Sequence, residues 1–197
     1  MRIRFVLPVL LALAVGACAT PQVHAGRAAA ATTRTTAATR ASAARKGQAK
    51  RPPPGIVDAS RRRPAPDLQV TAFDGRTVTL AGFRGRPAVV SFFESWCPNC
   101  QEEQPDLTRV AREFAGRVGF VGVSWHDTVA DGRAYQRRYG VPYPLANDAS
   151  GRTWARWQVP YQPVTVLVDR QGRIAERFDG GTTGGTLRAA LAYLVSE

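Results

Sequence analysis

Cys97 and Cys100 stand one helical turn apart in the stretch Phe92-Phe93-Glu94-Ser95-Trp96-Cys97-Pro98-Asn99-Cys100. The apolar run before them, 88–93, reads as a buried strand and the segment after them as a helix, which puts Cys97 at a strand-to-helix junction. A thiol there meets unpaired backbone N–H groups and the positive end of the helix dipole, and both raise its thiolate fraction. Cys100 is then near enough to close a disulfide. The chemistry open to such a pair is reversible dithiol–disulfide redox, although zinc sites use the same two-residue spacing. The remaining cysteine, Cys18, lies far off near the N-terminus, so none is left for a structural bridge.

Elements able to position the pair are expected across residues 66–197. Residues 68–72 and 77–80 flank Asp74-Gly75, a hairpin-turn signal. The central strand 88–93 is apolar on both faces, as a strand covered by helices should be. Helix 98–115 follows, with Leu107, Val110, Ala111 and Phe114 at helical spacing, Gly116 beyond its end, and a bend expected at Pro105. Further along, the pattern predicts a strand over 118–124, helices over 131–139 and 152–157, strands over 164–168 and 173–178, and a last helix over 184–195. This alternation indicates an α/β fold with a mixed sheet flanked by helices and an N-terminal β-hairpin.

Charge divides the chain differently. Residues 1–65 carry 12 Lys and Arg against the single acid Asp58, whereas residues 66–197 carry 15 Arg and no Lys against 14 acids. The folded part is nearly neutral, which argues against a nucleic-acid partner. Residues 1–18 have a basic start, an apolar stretch too short to span a bilayer, and small residues before Cys18, and so read as an export signal. Val15-Gly16-Ala17-Cys18 is similar to the lipobox of bacterial lipoproteins, which makes Cys18 the expected lipidation site; cleavage at small residues with secretion is the alternative. Residues 19–65, rich in Ala, Thr, Arg and Pro, lack the apolar side chains needed to offset ordering entropy and are expected to form a disordered linker. Either processing route puts the dithiol outside the cytoplasm, where substrates form disulfides.

The order of a hairpin, Trp96-Cys97-X-X-Cys100, Glu103-X-Pro105, Val159-X-X-X-Pro163 before an apolar strand, and an Asp169-X-X-Gly172 turn resembles the TlpA/ResA-type extracytoplasmic thiol–disulfide oxidoreductases of the thioredoxin-like superfamily. The resemblance implies a thioredoxin-like fold with Cys97 as exposed nucleophile and Cys100 as buried resolving thiol. It implies that Pro163 is a cis-proline packed against the disulfide, that Gln162 offers backbone hydrogen bonds to a substrate chain, and that Trp96, Pro98 and Asn99 contact that chain. Glu103, nearly one turn beyond Cys100, would lie beneath it and exchange its proton. No cofactor and no metal is implied. The expected partners are protein thiols or disulfides and a membrane redox protein that recharges the pair. The family includes reductases that keep apocytochrome c cysteines reduced and actinobacterial oxidants of folding proteins.

The chain departs from the pattern in places. Ser91 stands where thioredoxin has a buried aspartate, which throws proton handling onto Glu103. Glu94 replaces a small residue and reads as a rim residue able to repel a thiolate. His126, after strand 118–124, is expected at the same sheet edge as Cys97, most simply as a loop histidine, with substrate contact or proton transfer as the alternative. Tyr161 is close enough to Pro163 to line a substrate groove. Two other functions fit the same fold: a thiol peroxidase, against which Glu94 occupies the place of the activating threonine, and a copper-binding chaperone using Cys97, Cys100 and His126.

Overall fold

The computed structural model describes residues 51–197. The expected export signal with Cys18 and the expected linker segment 19–50 lie outside the described residues. The hairpin pairs β1 (Gln69–Ala72) with β2 (Thr77–Thr79), and its turn needs Gly75 at φ 92°. There follow β3 (Ala88–Phe92), α1 (Pro98–Glu113), β4 (Gly119–Ser124), α2 (Val129–Tyr139), β5 (Leu145–Asn147), α3 (Arg152–Arg156), β6 (Val164–Val168), β7 (Ile174–Asp179) and α4 (Gly184–Ser196). The sheet has the order β2-β1-β5-β4-β3-β6-β7. The β3-β4-β5 ladder is parallel and the rest antiparallel, the mixed sheet expected.

Side-chain alternation along β3 explains why both its faces are apolar. Val89 and, just past the strand, Phe93 face a core filled by Leu107, Val110 and Ala111 of α1, Tyr135 of α2 and Leu187 and Leu191 of α4. Ala88, Val90 and Phe92 face the opposite core, closed by Val70 and Ala72 of β1 and by Trp154 and Trp157. Phe92 meets the latter two rings at 5.7 Å each. Pro105 does not break α1, which continues to Glu113. Gly140, in the left-handed conformation, ends α2.

Two expectations are corrected. The linker was expected to reach residue 65, but residues 51–65 pack on the domain. Ile56 enters the core beside Ala175 and Leu194. The N–H of Val57 donates to the carbonyl of Ala175, that of Ala65 to Gly172, and that of Ile174 to Arg63, so this strap covers the outer edge of β7. Arg62, its side chain 1% exposed, binds Asp169 at 3.2 Å and Glu197 at 2.7 Å. Composition concealed this because those partners lie 107 and 135 residues away. In addition, β5 has no expected counterpart; three residues are too few to show a period.

Candidate active site

The strand–helix junction forms as anticipated, and Cys97 is itself the N-cap of α1. Its Sγ accepts the N–H of Cys100 at 3.2 Å, and Pro98 occupies the first turn, where a missing N–H costs nothing. Cys97 and Cys100 are joined as a disulfide with Cα atoms 5.3 Å apart. Cys97 was expected to be exposed; in this bonded state it is only 5% exposed, against 1% for Cys100, so both sulfur-bearing residues are largely covered. The Tyr135 hydroxyl donates to the Cys100 carbonyl at 2.9 Å, tying α2 to the second cysteine of the pair.

The turn before Cys97 is held by two buried acids. Glu94 is fully buried, which corrects its reading as a rim residue. Its carboxylate accepts the Ser124 hydroxyl and the N–H groups of Trp125 and His126, each at 3.0 Å, and the His126 Nδ1 lies 3.3 Å away. The physical reason is the parallel β3-β4 pairing, which brings the end of β4 beside Glu94, where its free N–H groups need an acceptor. Asp127 accepts the Ser95 N–H at 3.0 Å and the Ser95 hydroxyl at 2.6 Å. Burial pushes the Asp127 carboxyl above the usual range against the pull of those bonds, and the nearby Glu94 adds to the rise. Gln101 closes the frame by donating to the Ser95 carbonyl at 2.7 Å.

The Gln162–Pro163 bond is cis, and the pairing of Val164 with Phe92 puts this loop at the same sheet end as Cys97. Glu103, 9% exposed, accepts the Thr182 N–H on Oε2 at 3.0 Å, while Oε1 is buried with no hydrogen-bond partner among the described residues. Desolvation raises its pKa to about 7. Gly181, at φ 100°, is required here: a Cβ would stand 2.8 Å from Glu103 Oε2 and 3.4 Å from the Pro163 ring. Glu103, Gly181 and Pro163 therefore converge. Asn99, Glu102, Glu103 and Thr182 line an open cavity of about 540 Å³.

Around the disulfide the surface is aromatic. Trp96 is 59% exposed, and Tyr161 and Trp125 are also exposed. Pro98 and Asn99 are exposed on the first turn of α1 and Gln162 is half-buried. His126 is on the expected edge, its ring stacked on Trp125 at 4.4 Å. Sequence reasoning missed Ser95, Asp127, Gly181 and Thr182. Of these, only the doublet Gly180-Gly181 carried a signal, as a candidate for unusual backbone conformation.

Residues 62–177 match the AhpC/TSA family. The soluble secreted antigen MPT53 of Mycobacterium tuberculosis is 34% identical over 126 residues, 64% of this chain and 69% of that protein. The thiol:disulfide interchange protein DsbE of Allochromatium vinosum is 33% identical over 128 residues, 64% of this chain and 67% of its own. The structure of a secreted Mycobacterium tuberculosis disulfide oxidoreductase homologous to E. coli DsbE superposes with a TM-score of 0.59 at 30% identity, covering 64% of this chain and 96% of that one. With this sequence, this thioredoxin-like sheet and this cysteine pair, the chain belongs to the AhpC/TSA family and, within it, to the thiol–disulfide oxidoreductases.

Proposed function

We propose that this oxidoreductase exchanges disulfides with extracytoplasmic protein substrates, Cys97 being the attacking sulfur and Cys100 the resolving one. The carrying observation is the Cys97–Cys100 disulfide at the N-terminus of α1, with the buried acid Glu103 about one turn further along the same helix. In the reducing direction, the Cys97 thiolate attacks a substrate disulfide, forming a Cys97–substrate bond and releasing the other substrate sulfur as a thiolate. Cys100 gives its proton to Glu103 and attacks Cys97, which restores the intramolecular disulfide and frees the second substrate thiolate. With a pKa of about 7, Glu103 is suited to accept and return a proton near neutrality. Gln162, Trp96, Pro98 and Asn99 supply the contacts to the substrate chain, and Pro163 closes the site opposite them.

Cys18 fits a lipid anchor on the outer face of the cell membrane, with a membrane redox protein recharging the dithiol. Labelled lipid on Cys18 that is lost in Cys18→Ala supports the anchor, whereas release of the unlabelled protein into the medium supports secretion. The central test is equilibration with glutathione mixtures. A two-electron couple lost in Cys97→Ser and in Cys100→Ser, with a trapped mixed disulfide in the latter, is the expected result. A potential of about −270 mV assigns a reductase and one of about −120 mV an oxidant. No couple, with stoichiometric copper on the purified chain instead, would move the reading to a metal chaperone.

A further inference from the structure

A second groove, of about 540 Å³, lies between the strap, the segment 156–161 before Pro163 and the face of β7 that carries Arg177 and Asp179. Its position follows from the register. Val164 pairs with both Phe92 and Asp179, so the Asp179 end of the groove is level with the disulfide turn, and Ile174 marks its far end. Six residues of β7 span roughly 17–20 Å, the reach of about six extended substrate residues. Tyr161, 51% exposed, and Pro160 supply an apolar surface at the end near the site.

The groove is basic in a domain that is otherwise almost neutral. Arg63, Arg156 and Arg177 line it, and Asp179 is the one acid among its lining residues. Asp179 is already paired with Arg177 at 2.9 Å, and Arg177 is further spent on the carbonyls of Trp157 at 3.0 Å and Gln158 at 2.9 Å. The charges of Arg63 and Arg156, both exposed, are left uncompensated by any acid of the lining. Arg63 comes from the strap, so the groove depends on the order of that segment. The chain's own segment 19–50 is excluded as occupant by charge, since it holds six Lys and Arg and no acid.

We propose that this groove binds an acidic segment of the substrate polypeptide, within about six residues of its reactive cysteine, and thereby selects among substrates. Carboxylates of that segment pair with Arg63 and Arg156 while its apolar groups rest on Tyr161. The inference rests on the disulfide-exchange reading above and adds the substrate class. Rim ion pairs of this kind act mainly on encounter and are weakened by salt.

The test uses the reduced full chain and synthetic peptides with one cysteine held as a mixed disulfide with glutathione. Three Asp, three Asn or three Arg are placed three to six residues to either side of the cysteine. The reaction consumes the dithiol and the peptide–glutathione disulfide and yields the protein disulfide, the peptide thiol and glutathione. The Asp peptide on one side should react about fivefold faster than the Asn peptide, the size expected of two rim ion pairs. That advantage should shrink at 0.5 M salt and vanish in the Arg63→Ala/Arg156→Ala double variant, and Arg156→Glu should favour the Arg peptide. Exchange with oxidised glutathione should be the same for wild type and double variant, which shows that the variant is folded and active. Equal rates for Asp and Asn peptides, or a preference that survives the double substitution, would overturn the groove while leaving the exchange reading intact. Absence of exchange even with oxidised glutathione would instead remove the reading on which it rests.

Discussion

Glu103→Gln should stabilise the protein and slow it, with the stabilisation depending on pH. In the folded chain the Glu103 pKa is about 7, against an ordinary glutamate value of 4.5, because burial disfavours its ionised form. Below pH 4.5 the acid is protonated in both folded and unfolded states and carries no penalty. As pH rises toward 7, the unfolded chain releases the proton while the folded chain keeps it, so stability falls. Above pH 7 the loss is complete, about 3 kcal/mol at roughly 1.4 kcal/mol per unit. At pH 5 the same linkage leaves a loss of less than about 1 kcal/mol. Glutamine occupies the same volume and does not titrate, and any fixed cost of its amide is equal at both pH values. The stability gap between variant and wild type, both oxidised, should therefore widen by about 2.5 kcal/mol from pH 5 to pH 8.5, or roughly 5–10 °C in melting temperature. The Cys100 attack on the mixed disulfide should slow by about a hundredfold at pH 7, as expected when a positioned base is removed, while the first attack by Cys97 keeps its rate. Melting curves at the two pH values and stopped-flow exchange measure both effects. An equal shift in melting temperature at pH 5 and pH 8.5 would show that Glu103 has no raised pKa, and the proton-acceptor role would fall with it.

Three other perturbations test the frame around the site. Glu94→Ala leaves the Ser124 hydroxyl and the N–H groups of Trp125 and His126 without their acceptor and should cost about 3 kcal/mol or more by urea denaturation; Glu94→Gln, which keeps an accepting oxygen, should recover part of it. Arg62→Ala should cost about 3 kcal/mol, because Asp169 and Glu197 lose a buried partner, and it should make residues 51–65 cleavable by trypsin under native conditions. Gly151→Ala would put a Cβ 2.5 Å from the Trp125 ring at a φ of 67°; a loss of at least about 1 kcal/mol and a shifted tryptophan emission are expected, whereas Gly75→Ala, strained by its own φ but with open space around a Cβ, should leave the emission unchanged.

The order of strands and helices was readable because each long element carries a repeating apolar pattern, and the cysteine pair because two sulfurs at this spacing have few other uses. The strap was not readable. A segment rich in Pro and Arg is held by one buried isoleucine and by an arginine whose acids lie more than 100 residues away, so its order is a property of the closed fold and not of its composition. Glu94 was misjudged for a related reason. A carboxylate beside a thiol suggests repulsion at a rim, but the end of β4 offers unpaired N–H groups that only tertiary structure brings within reach.

The placement of the acids bears on how this dithiol manages protons without the aspartate that Ser91 replaces. Glu94 and Asp127 spend their oxygens on Ser95, Ser124 and the start of the loop after β4, so they fix the turn before Cys97. Glu103 is built in the opposite way, with one oxygen held by the Thr182 N–H and the other buried and unpartnered among the described residues. An unpartnered buried oxygen costs stability, and such a cost persists where a function requires it. Gly181 keeps that oxygen pair beside Pro163, since any side chain there would collide with the carboxylate. On the proposed mechanism, Glu94 and Asp127 supply rigidity on the Cys97 side and Glu103 the proton transfer on the Cys100 side. A Gly181→Ala chain should therefore lose the pH dependence of the resolving step before it loses the disulfide.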